Sequence, residues 1–351
     1  MLKKKSSQES AIEALSKAQE LSFAPLTFQA LATMIDLGIL ELLDKQPSFL
    51  NEIMKKLSLD EYTVKTLLQV GEVSKLVKSE NGKYSLTKKG AVFLYDEMTI
   101  ANFNFIKDVC YLGASELTAS FKEKKPKGLQ KFFGEKYDTI YPYFSILPDK
   151  TKNSWYSFDH LYSDNCFDKL FKIITKKYNK IYDIGGNTGK FEKVCLKNDP
   201  NLDITMLDLP ENISVAVENP ELKGCKFYPI NILSDIKNYP QIENSAVLMS
   251  QFLDCFSKEQ VIYILNNLRL SMDKNYSIYI LEPFTDHQKY DAAKLSLTHI
   301  SLYFTCMANG ISKMYTQMEM IEMIETAGLK VFNIHNNLGA FDYTLLECNR
   351  K

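Results

Sequence analysis

The sequence predicts an α/β fold, a mostly parallel sheet with helices on both faces, behind an N-terminal all-α/winged-helix region. Three observations predict it. After Lys176, short apolar runs alternate with helical patterns, the order that parallel strands joined by crossover helices produce. The first of those runs leads into Gly185-Gly186-Asn187-Thr188-Gly189, a glycine-rich turn between a strand and a helix. Ahead of them, between Phe23 and Leu86, three helical patterns are followed by a hairpin signal.

Residues 1–20 are polar, and a frayed or loosely helical start is expected. From Phe23 to about Leu43 the apolar residues Phe28, Leu31, Met34, Ile35, Leu37, Leu40 and Leu43 fall at helical spacing. Leu50, Ile53, Met54 and Leu57 give a second short amphipathic helix. Ser58 and Glu61 have capping-box spacing and are expected to open a third, with Val64, Leu67 and Leu68 inward. Asn81-Gly82 suits the tight turn of a hairpin. Residues 95–175 are rich in Phe and Tyr, and are expected to be helical with breaks at 122–128, Pro142 and Pro148. Strands are then expected at 180–184, 203–207, 225–229, 246–251, 277–282, 330–334 and 343–348. Helices are expected to start near Gly189, Glu211, Ser257, Asp291 and Thr316. The division expected is 1–110, a helical stretch at 111–175, and the α/β domain at 176–351.

Composition narrows the function. The chain has 351 residues, 45% hydrophobic and 24% charged, which suits about two folded domains. Its 42 Lys and Arg against 43 Asp and Glu give a net charge of −1, so no overall field favours nucleic acid or an anionic membrane. Seven dispersed cysteines without a CxxC pair read as reduced thiols of a cytoplasmic protein. Four histidines, none at ligand spacing, argue against a metal site. No run of about 18 apolar residues is present.

The chemistry should lie beyond the carboxyl ends of the strands. The glycine turn lets the backbone bend sharply and approach a ligand. It is not the dinucleotide fingerprint, because Asn187 stands at a glycine position. Asp183 lies inside the strand end, and a carboxylate there suits a ligand with a cationic end better than a phosphate. Asp208 ends the second strand, where a carboxylate can accept both hydroxyls of a ribose. Turn and acid together point to S-adenosyl-L-methionine as cofactor.

The segments IYDIGGNTGKF, MLDLP, FYPINIL, SQFLDCFSKEQ, YILEPF and ANGISKMYT make the chain resemble the two-domain class I small-molecule O-methyltransferases. That group contains plant phenolic, hydroxyindole and bacterial tailoring enzymes. The resemblance implies a Rossmann-like methyltransferase domain with an N-terminal winged-helix dimerisation domain, hence a homodimer. It implies that Gly185 and Gly189 line the methionine end of the cofactor, Asp208 takes the ribose and Leu209 packs near the adenine. Asn231 and Ile232 stand where the family has an acidic-plus-apolar adenine pair, and Ser250 and Gln251 where it often has a Lys. Asp254 replaces the family's general-base His, Glu282 matches the acid that orients the base, and Met314 replaces a further acid. Asp254 is therefore read either as the base or as a helix-capping or orienting carboxylate. The acceptor is expected to be a small aromatic or polyketide-like hydroxyl, held by Trp155, Tyr156, His299, Tyr303, Met307 and Met314, with His299 an alternative base. Transfer to a ring carbon, or cofactor binding without transfer, are the variants. A DNA-binding role for the N-terminal region is disfavoured by the single Lys65 against Asp60 and Glu61 in its candidate recognition segment.

Overall fold

In the computed structural model, residues 10–234, 239–272 and 275–350 are described. The chain divides into two compact units, Met1–Lys107 and Asp108–Lys351. The helical stretch expected at 111–175 lies in the second.

The first unit begins with α1 (Ala11–Asp36) and α2 (Ile39–Lys45), followed by β1 (Ser48–Phe49), α3 (Leu50–Leu57) and α4 (Glu61–Val73). The hairpin β2 (Val77–Glu80) and β3 (Lys83–Leu86) comes next, then α5 (Lys88–Tyr95) and α6 (Glu97–Phe105). The N-terminal expectation needs correcting: α1 is regular from Ala11, because Ser10 and Glu13 form a reciprocal capping box. Gly38, at φ 74°, then breaks the helix expected to run on to Leu43. Ser58 does not open α4. It sits at φ 56° as the C-cap of α3, and Asp60 caps α4 by accepting the Thr63 amide at 3.0 Å. Asn81 and Gly82 both have positive φ, as the tight hairpin turn demands. Leu31, Met34, Ile39, Leu40, Ile53, Val64 and Leu68 fill this unit's core.

The second unit opens with α7 (Leu117–Glu123), α8 (Lys127–Phe133), α9 (Asp149–Ser163) and α10 (Phe167–Thr175). The α/β part follows as β4 (Lys180–Ile184), α11 (Lys190–Asn198), β5 (Asp203–Asp208), α12 (Pro210–Ala216), β6 (Lys226–Pro229), β7 (Ser245–Ser250), α13 (Lys258–Ser271), β8 (Tyr276–Glu282), α14 (Asp291–Tyr303), α15 (Gln317–Thr326), β9 (Leu329–Leu338) and β10 (Tyr343–Arg350). Every expected strand is present with ends moved by four residues at most. The sheet order is β6-β5-β4-β7-β8-β10-β9, with only β10 antiparallel to its neighbours. Strand order reverses between β4 and β7, and ligands of such sheets bind in the crevice this reversal opens. Two apolar cores, one on each face, clamp the sheet, so the strand ends are held rigidly. The capping boxes expected at Ser257 and Thr316 both form.

Candidate active site

Gly185 leaves β4 at φ 82° and its amide donates to the Leu207 carbonyl at 2.8 Å. Gly189 caps α11 at φ 78°. Both conformations suit glycine alone, and both Cα atoms are closely covered. A Cβ on Gly185 would lie 2.2 Å from the Phe252 ring, and one on Gly189 2.3 Å from Leu222.

The strand-end acid is tied to the turn. Asp208 Oδ2 accepts the Asn187 amide at 2.8 Å, while Oδ1 accepts the Leu209 amide at 2.7 Å and Asn212 Nδ2 at 2.8 Å. A carboxylate offers about four acceptor positions, so Oδ2 keeps one for a ribose hydroxyl. Burial pushes the Asp208 carboxyl above its ordinary range. Leu209 is half-buried beside it. Asn231 is exposed and its Oδ1 accepts the Leu233 amide at 3.0 Å, so the carbonyl expected to meet the adenine is engaged in a local turn. Ile232 is buried, and its carbonyl accepts the Tyr239 hydroxyl.

At the exit of β7, Ser250 Oγ is buried and meets no hydrogen-bond partner among the described residues. Gln251 turns through φ 47°, and its Oε1 accepts the Tyr343 hydroxyl at 2.5 Å. The strand therefore ends one residue earlier than expected, and Gln251 points to the start of β10. The following turn, 252–256, carries Asp254. Glu282 Oε1 accepts the Phe252 and Leu253 amides at 3.1 and 3.0 Å. Asn309 Nδ2 donates to the Cys255 carbonyl at 2.9 Å, and the Tyr315 hydroxyl to the Phe256 carbonyl at 2.7 Å. Three elements thus fix this turn from outside. Asp254 is 8% exposed, and burial pushes its carboxyl up to about 6. Glu282, 2% exposed, is raised further by burial and by the charge of Asp254.

Cys255 donates its thiol to Asp254 Oδ1 at 3.4 Å, and the Tyr141 side chain lies beside the pair. Burial raises both Cys255 and Tyr141. Beside them Trp155 Nε1 donates to the Tyr303 hydroxyl at 2.7 Å. Trp155 packs edge-on against Tyr156, which stacks on His160.

Of the acceptor residues expected from the sequence, Trp155, Tyr156 and Tyr303 come together. His299 lies on the exposed side of α14, its Nδ1 2.7 Å from the Leu295 carbonyl. Met307 packs into a glycine crossing, its sulfur 2.0 Å from where a Gly113 Cβ would stand. Met314 is buried, and its amide donates to Ser301 Oγ at 3.1 Å. The sequence reading missed Tyr141, Cys255, Phe252, Asn309 and Tyr315. For Asn309 and Tyr315 the only signal was the segment ANGISKMYT, whose resemblance gave no roles. Among the described residues no group of His, Cys, Asp or Glu is arranged to hold a metal ion.

The turn and acid at the switch point fit an adenosine with a cationic end, and a fixed acid turn lies alongside. This is the arrangement of an S-adenosylmethionine-dependent methyltransferase. Residues 115–330 match the family described as "O-methyltransferase domain", and residues 16–84 match "Dimerisation2-like domain". The chain belongs to this O-methyltransferase family. It is similar to the demethylspheroidene O-methyltransferase of Rhodobacter capsulatus, 23% identical over 326 residues, 92% of this chain and 79% of that one. The bacteriochlorophyllide d C-20 methyltransferase of Chlorobaculum tepidum is 24% identical over 251 residues, 68% of this chain and 69% of its own. Among solved structures, the mitomycin 7-O-methyltransferase MmcR superposes with a TM-score of 0.73 at 16% identity, covering 97% of this chain and 98% of that one. LepI in complex with SAM gives 0.67 at 18% identity, covering 98% and 90%.

Proposed function

We propose that this enzyme methylates a hydroxyl on a small, flat, apolar aromatic or polyketide-like acceptor, with Asp254 receiving the proton. When bound, S-adenosylmethionine supplies an electrophilic methyl group. The chain's own residues orient the acceptor and take its proton. The observation that carries the reading is the buried Asp254 turn, fixed by Glu282, Asn309 and Tyr315 and bordered by Tyr141, Trp155 and Tyr303. A positioned group of this kind contributes through orientation and through proton transfer. At neutral pH a carboxyl held near 6 is mostly ionised and can accept a proton. Glu282 spends one oxygen on two backbone amides, so we assign it to holding the turn. Asp183, Gly185, Gly189, Asp208, Leu209 and Ile232 are assigned to the cofactor, with Asn231, Ser250 and Gln251 at its margin. Met307 and Met314 are assigned to the wall behind the acceptor, and His299, exposed on α14, is given no part in it.

Transfer to a ring carbon is the second reading. It is favoured by the absence of a His at this turn and by the C-20 methyltransferase named among the relatives. Incorporation of labelled methyl into a panel of phenolic acceptors, with the position read by NMR, separates the two. Tight cofactor binding without incorporation into any acceptor would reject both.

We assign the N-terminal unit, with its helices and hairpin, a winged-helix role in homodimerisation. Ile12, Leu15, Leu21, Phe23 and Leu26 of α1 are all at least 58% exposed, a row that a partner surface would cover. Sedimentation at micromolar concentration should give a dimer, and a monomer would reject the assignment. All seven cysteines are free, which fits a reducing, cytoplasmic setting.

A further inference from the structure

We propose that Glu192 is a positioning residue for the cofactor: held protonated under the glycine turn, it donates to Asp183 and so keeps Asp183 as the anion that the donor's ammonium group requires. Glu192 lies in the first turn of α11, three residues past Gly189. An acid there ordinarily faces water and favours the helix N-terminus. Here the side chain is 0% exposed. Its Oε1 sits 2.5 Å from where a Gly186 Cβ would stand, so the carboxyl occupies the space under the turn that this glycine leaves open.

Neither oxygen of Glu192 meets an N–H or O–H donor among the described residues. An ionised carboxyl so placed would lose its hydration with nothing in return. The partner within reach is the Asp183 carboxyl, itself 3% exposed, and two carboxyls bond only through a shared proton. The titratable groups that face the pair are Asp208 from β5, Cys195 one turn along α11, and Cys225 ahead of β6. The two thiols are neutral and none of the three is a cation, so the charge of Asp208 favours keeping a proton on the pair. Burial and the Asp183 charge raise Glu192 well above its ordinary value. Asp183 rises only to about 7, because the bond from Glu192 opposes its desolvation. Glu192 therefore holds the proton, and Asp183 is the member free to ionise.

The inference rests on the placement of the cofactor's methionine end at the Gly185–Gly189 turn. Calorimetric titration of the whole enzyme with S-adenosylmethionine between about pH 5.5 and 9 tests it. Wild-type affinity should fall by up to tenfold per pH unit below about 7. Glu192→Leu removes the donor. Its midpoint should move up by about one unit, leaving binding roughly fivefold weaker at pH 7 and recovering in alkali. Its melting temperature is measured alongside, so that an affinity loss that recovers in alkali is told apart from a loss of fold. Glu192→Gln keeps a donor and should follow wild type, and Asp183→Asn should flatten the profile. The proposal is overturned if Glu192→Leu titrates at the wild-type midpoint, or if the Leu and Gln variants lose affinity equally at every pH. No binding by wild type at any pH would instead overturn the placement of the cofactor.

Discussion

Replacing Asp254 by Asn keeps the shape of the turn and removes its proton acceptor. The structure sets the size of the effect. With Asp254 held at about 6, complete proton transfer from a phenol of pKa about 10 costs about 5 kcal/mol, at 1.36 kcal/mol per unit. For an acceptor near 8 the cost is about 3 kcal/mol. Asp254 is therefore useful only if proton and methyl move together or the acceptor is acidic. Acidic phenols should accordingly be preferred. For them, Asp254→Asn should lower kcat roughly 100-fold or more, the usual weight of a positioned acid or base. Cofactor affinity should stay within about twofold, because the cofactor's own contacts lie at the glycine turn and Asp208. Below about pH 6 the wild-type rate should fall tenfold per unit as Asp254 is protonated, and the Asn variant should lose that limb. Steady-state kinetics across pH with an acceptor series checks this. A variant that keeps both its rate and its acid limb would refute Asp254 as the base.

Other outcomes follow from the same geometry. Asp208→Ala should weaken donor binding by roughly 10–100-fold, the worth of hydrogen bonds to a charged group, as read by calorimetry. Gly185→Ala must accept both φ 82° and a 2.2 Å approach to Phe252. It should abolish donor binding and lower stability by at least about 1–2 kcal/mol in denaturant titration. The raised Asp183 and Asp254 carboxyls bind protons more tightly folded than unfolded. Stability should therefore decline as pH rises from about 4 towards 6 and 7, the reverse of an ion-paired acid. Asp183→Asn or Asp254→Asn should flatten that decline in thermal melts.

Much of this was legible because it is written locally. Strand β4 is a run of apolar residues closed by glycines, and its expected limits match the fold residue for residue. Ser257 with Gln260 and Thr316 with Glu319 cap their helices because each pair meets within one turn. Ser58 failed by the same logic. Both Ser58 and Asp60 sit near the start of α4, and the left-handed backbone at Ser58 left only Asp60 able to cap. The site divides likewise. Asp208 follows from its strand end, whereas Glu192 reads as a solvated helix-start acid until the turn folds over it. Leu295, His299, Leu302, Tyr303 and Cys306 share a helical spacing, yet only Tyr303 and Cys306 are buried among them. Periodicity fixes a stripe but not which edge of it meets the core.

Glu282 separates a proton acceptor from a residue that holds one in place. Its Oε1 takes two amides of the turn that precedes Asp254, while Oε2 is buried and meets no partner among the described residues. Glu282→Gln preserves an oxygen for the amides but removes an acid beside Asp254. The turn should loosen, so kcat should fall by about tenfold, the cost of a hydrogen bond or two made less well. The acid limb should persist, because Asp254 is still present and its titration is set first by burial. Asp254→Asn should do the opposite to the limb. If Glu282→Gln erased the limb and Asp254→Asn kept it, the roles would be exchanged: Glu282 would be the base, and Asp254 the carboxylate that orders the turn.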